Sequence, residues 1–459
     1  MDYKKLNLSV GLEVHYQLDS HKLFCNCPSI LSNGEPDIKI KRYLRPVSSE
    51  LGEKDEVAEF EKAKNKYAIY EAFKESSCLF ELDEEPCYEI NEEALNVALK
   101  VALLLNCKIV DEIQVMRKQV VNYSNTSGFQ RSAMAAYGGF IKTKNGKVGI
   151  QTVMLEEDAA RKISEDSEKV IYRLDRLGTP LIEITTAPDI KTPEQAKEVA
   201  EYIGMIVKST GKNKRGIGSV RQDINISIKN GNRVEVKGFQ ELKQIPKAVE
   251  IEVNRQLKEK TESHVRYINK YLSSKYLRPM PGAARLYVET DVLNINTKDY
   301  IKKIKLPKLI VDNVNEVSKK YGISEYLAKE ILNKGYEKYF KIRLDNKIIA
   351  NVLIEVPKDI KKRFNLEIKE ENLEKVLDYL SKGLLNKSSV VDALVEMEKN
   401  KFDIKKYKKV SVKELEKEIK DIVEKNKGLS VKALMGIVMK KYKSSVSGSE
   451  VIKIVKKYL

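Results

Sequence analysis

The stretch GLEVHYQL, from Gly11 to Leu18, sets Glu13 and His15 two residues apart in an apolar run of strand character. Side chains two apart leave the same face of a pleated strand, so an acid and an imidazole emerge side by side. Two distant segments carry matching acids. LEEDAAR, from Leu155 to Arg161, supplies Glu156, Glu157 and Asp158 at a strand end, and RLGTPLIEITTAPD, from Arg176 to Asp189, sets Glu183 among Leu181, Ile182 and Ile184. A carboxylate in so apolar a setting is costly unless it is paired, protonated or bound to metal. A hard divalent cation held by several oxygens and one imidazole meets that cost. Of the three histidines, His15, His21 and His264, two lie in or just after the first segment.

Outward from these segments, composition sets the class. The chain has 459 residues, 42% of them hydrophobic, with 12 prolines, which fits a globular protein of about three domains. The opening MDYKKLNLSV has no basic-then-apolar leader, and the longest apolar run, VALLL at Val101 to Leu105, is too short to span a bilayer. The expectation is a cytoplasmic protein without a membrane anchor. Five cysteines (Cys25, Cys27, Cys78, Cys87, Cys107), odd in number and irregularly spaced, point to reduced thiols; a zinc site built from Cys25 and Cys27 with Cys78 and Cys87 is a weaker reading. The net charge of +17 is concentrated: Lys401 to Leu459 holds 17 lysines against 7 acids, an excess of +10. That is the footprint of a polyanion partner such as RNA, although a solvated lysine-rich surface has the same composition.

Up to about residue 290 the pattern mixes helix and strand. Thr192-Pro193-Glu194-Gln195 is a capping box that opens a helix running to about Gly211, and Asn91 opens another through Leu105. In DINISIKNGNRVEVKGF, Asp223 to Phe239, the pair Asn230-Gly231 between alternating stretches predicts a hairpin. From about Ile301 apolar residues recur at three-and-four spacing, predicting helices, and a further capping box, Ser411-Val412-Lys413-Glu414, starts a small bundle after the basic stretch KKYKKV.

No GxxxxGK[ST], GxGxxG or G-x-S-x-G is present. The best phosphate-binding candidate is RGIGSVRQDINISI, Arg215 to Ile228. Gly216 and Gly218 permit close backbone approach, while Arg221, Asp223, Asn225 and Ser227 alternate onto one strand face. That face offers a guanidinium for phosphate and a carboxylate for metal, and it equally fits a polar solvent edge. SNTSGFQRS, Ser124 to Ser132, reads as a loop around Gly128, and YLRPMPGAARLYVETD, Tyr276 to Asp291, as a rigid connection.

Together with RYLRPVSSELGE, CLFELDEEP and VMRK, these segments carry a resemblance to a known family. From Gly11 to Asp291 the chain resembles the catalytic part of the B-type and E-type subunits of glutamyl-tRNA(Gln) amidotransferase, and RYLRPVSSELGE and SNTSGFQRS are similar to the archaeal E-type branch rather than the bacterial B-type one. The resemblance implies an α+β fold: a mixed α/β kinase-like cradle over residues 1–295, an all-α helical domain over 296–400, and a small basic helical tail of the YqeY type over 401–459 that binds tRNA. It implies ATP-dependent phosphorylation of the glutamate carried on tRNA(Gln), then displacement of phosphate by ammonia that a separate asparaginase-like amidase, the D-type chain, delivers through a tunnel within a hetero-oligomer. Glu13, His15, Glu156 and Glu183 become the catalytic and Mg2+-binding residues, with Glu157 the alternative for the second acid. Ser127, Arg221, Asp223 and Asn225 become nucleotide or substrate contacts. Two alternatives stand beside this: a bacterial B-type chain that also accepts aspartyl-tRNA(Asn), and a tRNA-binding scaffold without chemistry. The family usually carries an aspartyl-tRNA-synthetase-like insertion; here only KEKTESHVRYINKYLSSK, near 258–275, fills its place.

Overall fold

A computed structural model describes the chain except residues 45–51, 53–55, 121, 217, 239–240, 260–261, 270, 281–284, 408–411, 427, 443–447 and 459. It falls into two compact units, Met1–Pro307 and Lys308–Leu459.

In the first unit the strands follow in chain order. They are β1 (Ser9–Gln17), β2 (Ile38–Tyr43), β3 (Tyr67–Ala72), the two short strands β4 (Lys108–Ile109) and β5 (Glu112–Ile113), β6 (Val115–Gln119), β7 (Phe129–Thr143), β8 (Gly146–Glu157), β9 (Arg161–Glu165), β10 (Lys169–Arg173) and β11 (Pro180–Thr186). Beyond them come β12 (Val220–Ser227), β13 (Val234–Lys237), β14 (His264–Ile268), β15 (Ser274–Pro279), β16 (Leu286–Val288) and β17 (Ile295–Asn296). One large sheet runs in the order β15-β14-β13-β12-β1-β11-β8-β7-β6-β16, with β4 beside β7; β2-β3-β10-β9 make a second, smaller sheet. The GLEVHYQL strand is therefore central. Its apolar residues Leu12, Val14 and Tyr16 are buried, and so are Ile182, Ile184, Ile224 and Ile226 of the strands on either side. After a first short helix, α1 (Glu56–Ala63), helices cover that face: α2 (Glu92–Leu104) against β7 and β8, α3 (Pro193–Ser209) against β1, and α4 (Ile245–Lys258) against β12. Alternation sends the polar residues of the same strands to the opposite face.

Both expected helix starts are capped as read. Asn91 accepts from Ala94 N and Thr192 from Gln195 N, with Pro193 at the first turn. The expected hairpin exists as a pairing, Ile224 opposite Val236, but its connection is longer than two residues because β12 stops at Ser227 and β13 starts at Val234. Asn230 is left-handed at φ 66°, and packing from another element bears on the turn: Gly231 lies so close to Gln256 of α4 that a Cβ would fall 2.5 Å from its Oε1. SNTSGFQRS is a turn only as far as Gly128, at φ 74°; from Phe129 it is β7.

The second unit is helical among its described residues, with α6 (Ile310–Tyr321), α7 (Glu325–Lys334), α8 (Asn346–Ala350), α9 (Val356–Phe364), α10 (Glu370–Ser381) and α11 (Val390–Glu398) around a core that includes Ile331, Leu353, Ile360, Leu377 and Leu394. A π turn, Asn351–Glu355, joins α8 to α9 just before Pro357, whose missing N–H loosens the helical ladder. The last three helices, α12 (Val412–Lys425), α13 (Val431–Tyr442) and α14 (Gly448–Tyr458), close on a separate core of Leu415, Ile419, Val423, Leu434, Val438, Val451 and Val455. Ser411 of the expected capping box lies outside the described residues. No helix among the described residues is long and apolar enough to cross a membrane.

Candidate active site on the polar face of the sheet

Register places the acids. His15 is opposite Glu183 on β11 and Arg221 on β12, and Glu13 is opposite Asp223. Glu183 is opposite Met154 of β8, so Glu156, two residues on, shares its face, while Glu157 turns to the other. The result is one cluster: His15 Nε2 lies 3.3 Å from Glu183 Oε2 and 3.6 Å from Glu13 Oε1. Possible donor atoms of His15, Glu156 and Glu183 lie within 4.8 Å of one another, as do those of Glu13, His15 and Asp223, so the imidazole is common to both groups.

The carboxylates compete for little counter-charge. Burial and the neighbouring Glu183 push Glu13 up to about 7, and burial with Glu183 pushes Glu156 up to about 6. Burial would lift Glu183 too, but the hydrogen bond and charge of His15, with Lys118, hold it at about 2. His15 is raised: burial opposes its cation, and Glu183 and Glu13 outweigh that cost. A donor set of four acids and one imidazole, with two of the acids lifted by burial and by the charge of Glu183, suits a hard divalent ion.

Neighbouring strands complete the face. Glu156 accepts from Ser132 Oγ at 2.7 Å and Gln130 Nε2 at 3.2 Å, and Lys118 Nζ stands 3.7 Å away. Thr185 Oγ1 donates to Glu183 at 3.1 Å. Lys237 bridges Asp223 at 2.6 Å and Glu235 at 2.5 Å. Ser132, Gln130, Lys118 and the bridge from Lys237 to Asp223 depend on which strand lies alongside and are not readable from local sequence; Thr185, two residues from Glu183 on β11, follows the same spacing rule as Glu13 and His15, and the alternation of Gln130 and Ser132 within SNTSGFQRS is a further signal that treating the segment as a loop hid.

The remaining candidates divide. Glu157 is not in the cluster: it accepts from the Arg131 backbone N–H at 2.9 Å and faces the Arg131 guanidinium at 3.6 Å, which in turn binds Glu289 at 2.7 Å. Arg221 flanks the cluster, held at 2.7 Å by the buried carboxylate of Asp158, which also accepts from Gln17. Asp223 is inside the cluster, and Asn225 follows it on the same face. Ser127 bonds Phe129 O at 3.1 Å and belongs to the turn before β7. All five cysteines are free; Cys25, Cys27 and Cys78 gather beside Glu81, whereas Cys87 lies with Glu289 and Asp291.

Residues 8–303 match the family described as the GatB/GatE catalytic domain. The chain is 35% identical to the E-type subunit of the glutamyl-tRNA(Gln) amidotransferase of Methanocaldococcus jannaschii over 625 aligned positions, covering 100% of this chain and 99% of the relative. It is 34% identical to that of Saccharolobus solfataricus over 100% of this chain and 99% of the relative. With that of Saccharolobus islandicus it shares 48% identity over 73% of this chain and 51% of the relative. An alignment of 625 positions over a chain of 459 residues leaves about 166 positions at which the Methanocaldococcus protein has residues and this chain has none.

Proposed function

We propose that the chain, which belongs to the GatB/GatE family of amidotransferase enzymes, activates with ATP the side-chain carboxylate of glutamate carried on tRNA(Gln) and converts it to the amide. A carboxylate oxygen attacks the γ-phosphorus as the bond to ADP breaks. Ammonia nitrogen then attacks the acyl carbon, the C–O bond to phosphate breaks, and nitrogen loses a proton. The observation that carries this reading is the meeting of Glu13, His15, Glu156 and Glu183 on one sheet face within the matched region.

Those four residues, with Asp223, would hold Mg2+, which when bound supplies charge neutralisation at the transferring phosphoryl group. The protein's own work is placement. Ser132, Gln130 and Thr185 fix carboxylate oxygens through hydrogen bonds, so the cluster needs little rearrangement to receive charge. Lys118 at the rim, where the acids raise its pKa, stays a cation and offers a contact to phosphate oxygens. Arg221, fixed by Asp158, offers a second, beside the turn at Gly216 and Gly218, both at positive φ.

In our reading the ammonia comes from a separate amidase, of the asparaginase-like class expected to accompany an E-type chain. The test is conversion of Glu-tRNA(Gln) to Gln-tRNA(Gln) with ATP, Mg2+ and ammonium chloride or the partner amidase. Product formation with release of γ-phosphate that needs Glu-tRNA(Gln) is expected; a chain that binds the RNA and releases no phosphate would be the scaffold instead.

A further inference from the structure

The polar face that holds the acid cluster continues across the sheet to its β15 edge. Asn225 of β12 is opposite Glu235, and Lys237, two residues on, is opposite Tyr267 of β14, which is opposite Lys275 of β15. Tyr267 and Lys275 therefore share the face of Glu13 and His15 at a distance of three and four strand spacings, roughly 15–20 Å. The Tyr267 ring lies over Gly238, whose backbone is at φ 101°. A Cβ there would fall 2.3 Å from the ring, so only glycine allows the ring to rest on the main chain. Tyr267 is nevertheless 45% exposed, with Lys275 exposed alongside. Arg278 follows on β15 opposite Val265, which shares the Tyr267 face.

We infer that the β14–β15 hairpin is a binding track for single-stranded RNA, on which Tyr267 stacks an unpaired base while Lys275 and Arg278 meet the backbone phosphates, leading the 3′ end that carries the amino acid toward the acid cluster. An aromatic ring seated on backbone with its outer surface open, flanked by cations and by no acid on its own two strands, is the arrangement that holds unpaired nucleotides. The inference rests on the proposed function in taking aminoacylated tRNA as the substrate. It goes further in assigning a contact to a segment that, by the resemblance, stands near where the family carries its insertion.

The test uses the full chain and a transcript of tRNA(Gln) followed by fluorescence anisotropy across a salt series. Tyr267→Ala should weaken binding roughly tenfold and Tyr267→Phe by less than about twofold, as stacking requires. Lys275→Ala should flatten the salt dependence by about one unit of slope. Circular dichroism melting checks that each variant folds as the parent does. Parental affinity in Tyr267→Ala, or equal losses in the Ala and Phe variants, would overturn the track. So would unchanged RNA affinity accompanied by weaker association with the partner amidase or with a second copy of the chain. Failure of the proposed function shows separately, as a parent protein that binds the transcript and releases no phosphate with Glu-tRNA(Gln).

Discussion

At the scale of single residues the decisive quantity is the charge on three carboxylates around His15. Glu183 supplies the acid nearest the imidazole and stays ionised, so Glu183→Ala should lower phosphate release that depends on Glu-tRNA(Gln) by at least about 10²-fold, a loss of the size seen when a stabilising group is removed from a charged transition state. Binding of tRNA should be retained, and retained turnover would remove Glu183 from the chemistry. A second consequence concerns pH. Glu13 and Glu156 hold their protons more tightly folded, at about 7 and about 6, than at the ordinary 4.5, so the folded state binds more protons between these values. Their penalty is absent below 4.5, grows through that window and is complete above 7. In chelator-treated protein the melting temperature should therefore fall as pH rises from 5 to 7.5. Mg2+ should raise it more at pH 7.5 than at 5.5, and an equal shift at both would mean that the acids do not share an ion. Glu13 and His15 were legible in GLEVHYQL because two-residue spacing alone decides which side chains are neighbours on a strand. Lys118, Gln130 and the pairing of Lys237 with Asp223 were not, since those partners belong to other strands, whereas Thr185 lies two residues from Glu183 on β11 and was open to the same rule. The same alternation separates Glu157 from Glu156, a distinction that the resemblance alone left open.

At the scale of elements, what local chemistry controls was readable and what packing controls was not. Helix starts depend on a side chain reaching the N–H groups three residues on, and Asn91 and Thr192 announce them. The Asn230-Gly231 turn signal, by contrast, is overruled by Gln256 of α4, a residue with no trace in the hairpin's own sequence. Asn91 also does more than cap. Its Nδ2 donates to His21 O at 2.9 Å and Ser20 Oγ at 3.2 Å, tying α2 to the segment that leaves β1. Asn91→Ala removes the cap and one of the two side-chain donors to His21 O, the other being Ser20 Oγ at 3.0 Å, so a loss of about 1–2 kcal/mol is expected from chemical denaturation. Asn91→Asp keeps the cap alone and should recover part of it; equal stability of the Ala variant and the parent would show that the cap is carried elsewhere.

At the scale of the whole molecule, the alternation of a polar strand face with a helix-covered one gives the first unit a built site, and the periodic helices of the second give it none of comparable chemistry among the described residues. The boundary lies after Pro307, beyond both the change of pattern near Ile301 and the start at 296 that the resemblance implies, because β17 and the short helix α5 (Lys298–Lys303) still belong with the sheet unit. Within the second unit the basic tail has a core of its own, built from apolar residues, so its charge excess of +10 takes no part in forming that core. Ending the chain at Lys401 should accordingly leave Met1–Pro307 folded and the binding of ATP unchanged. The affinity for tRNA should fall and the slope of log affinity against log salt should flatten by several units, about 0.9 for every phosphate that the tail no longer neutralises. Filter binding across a salt series distinguishes the outcomes. Superimposable curves for the truncated and full chains would place the RNA-binding groups entirely on the rest of the molecule, and would turn the lysine excess of the tail into a matter of solubility.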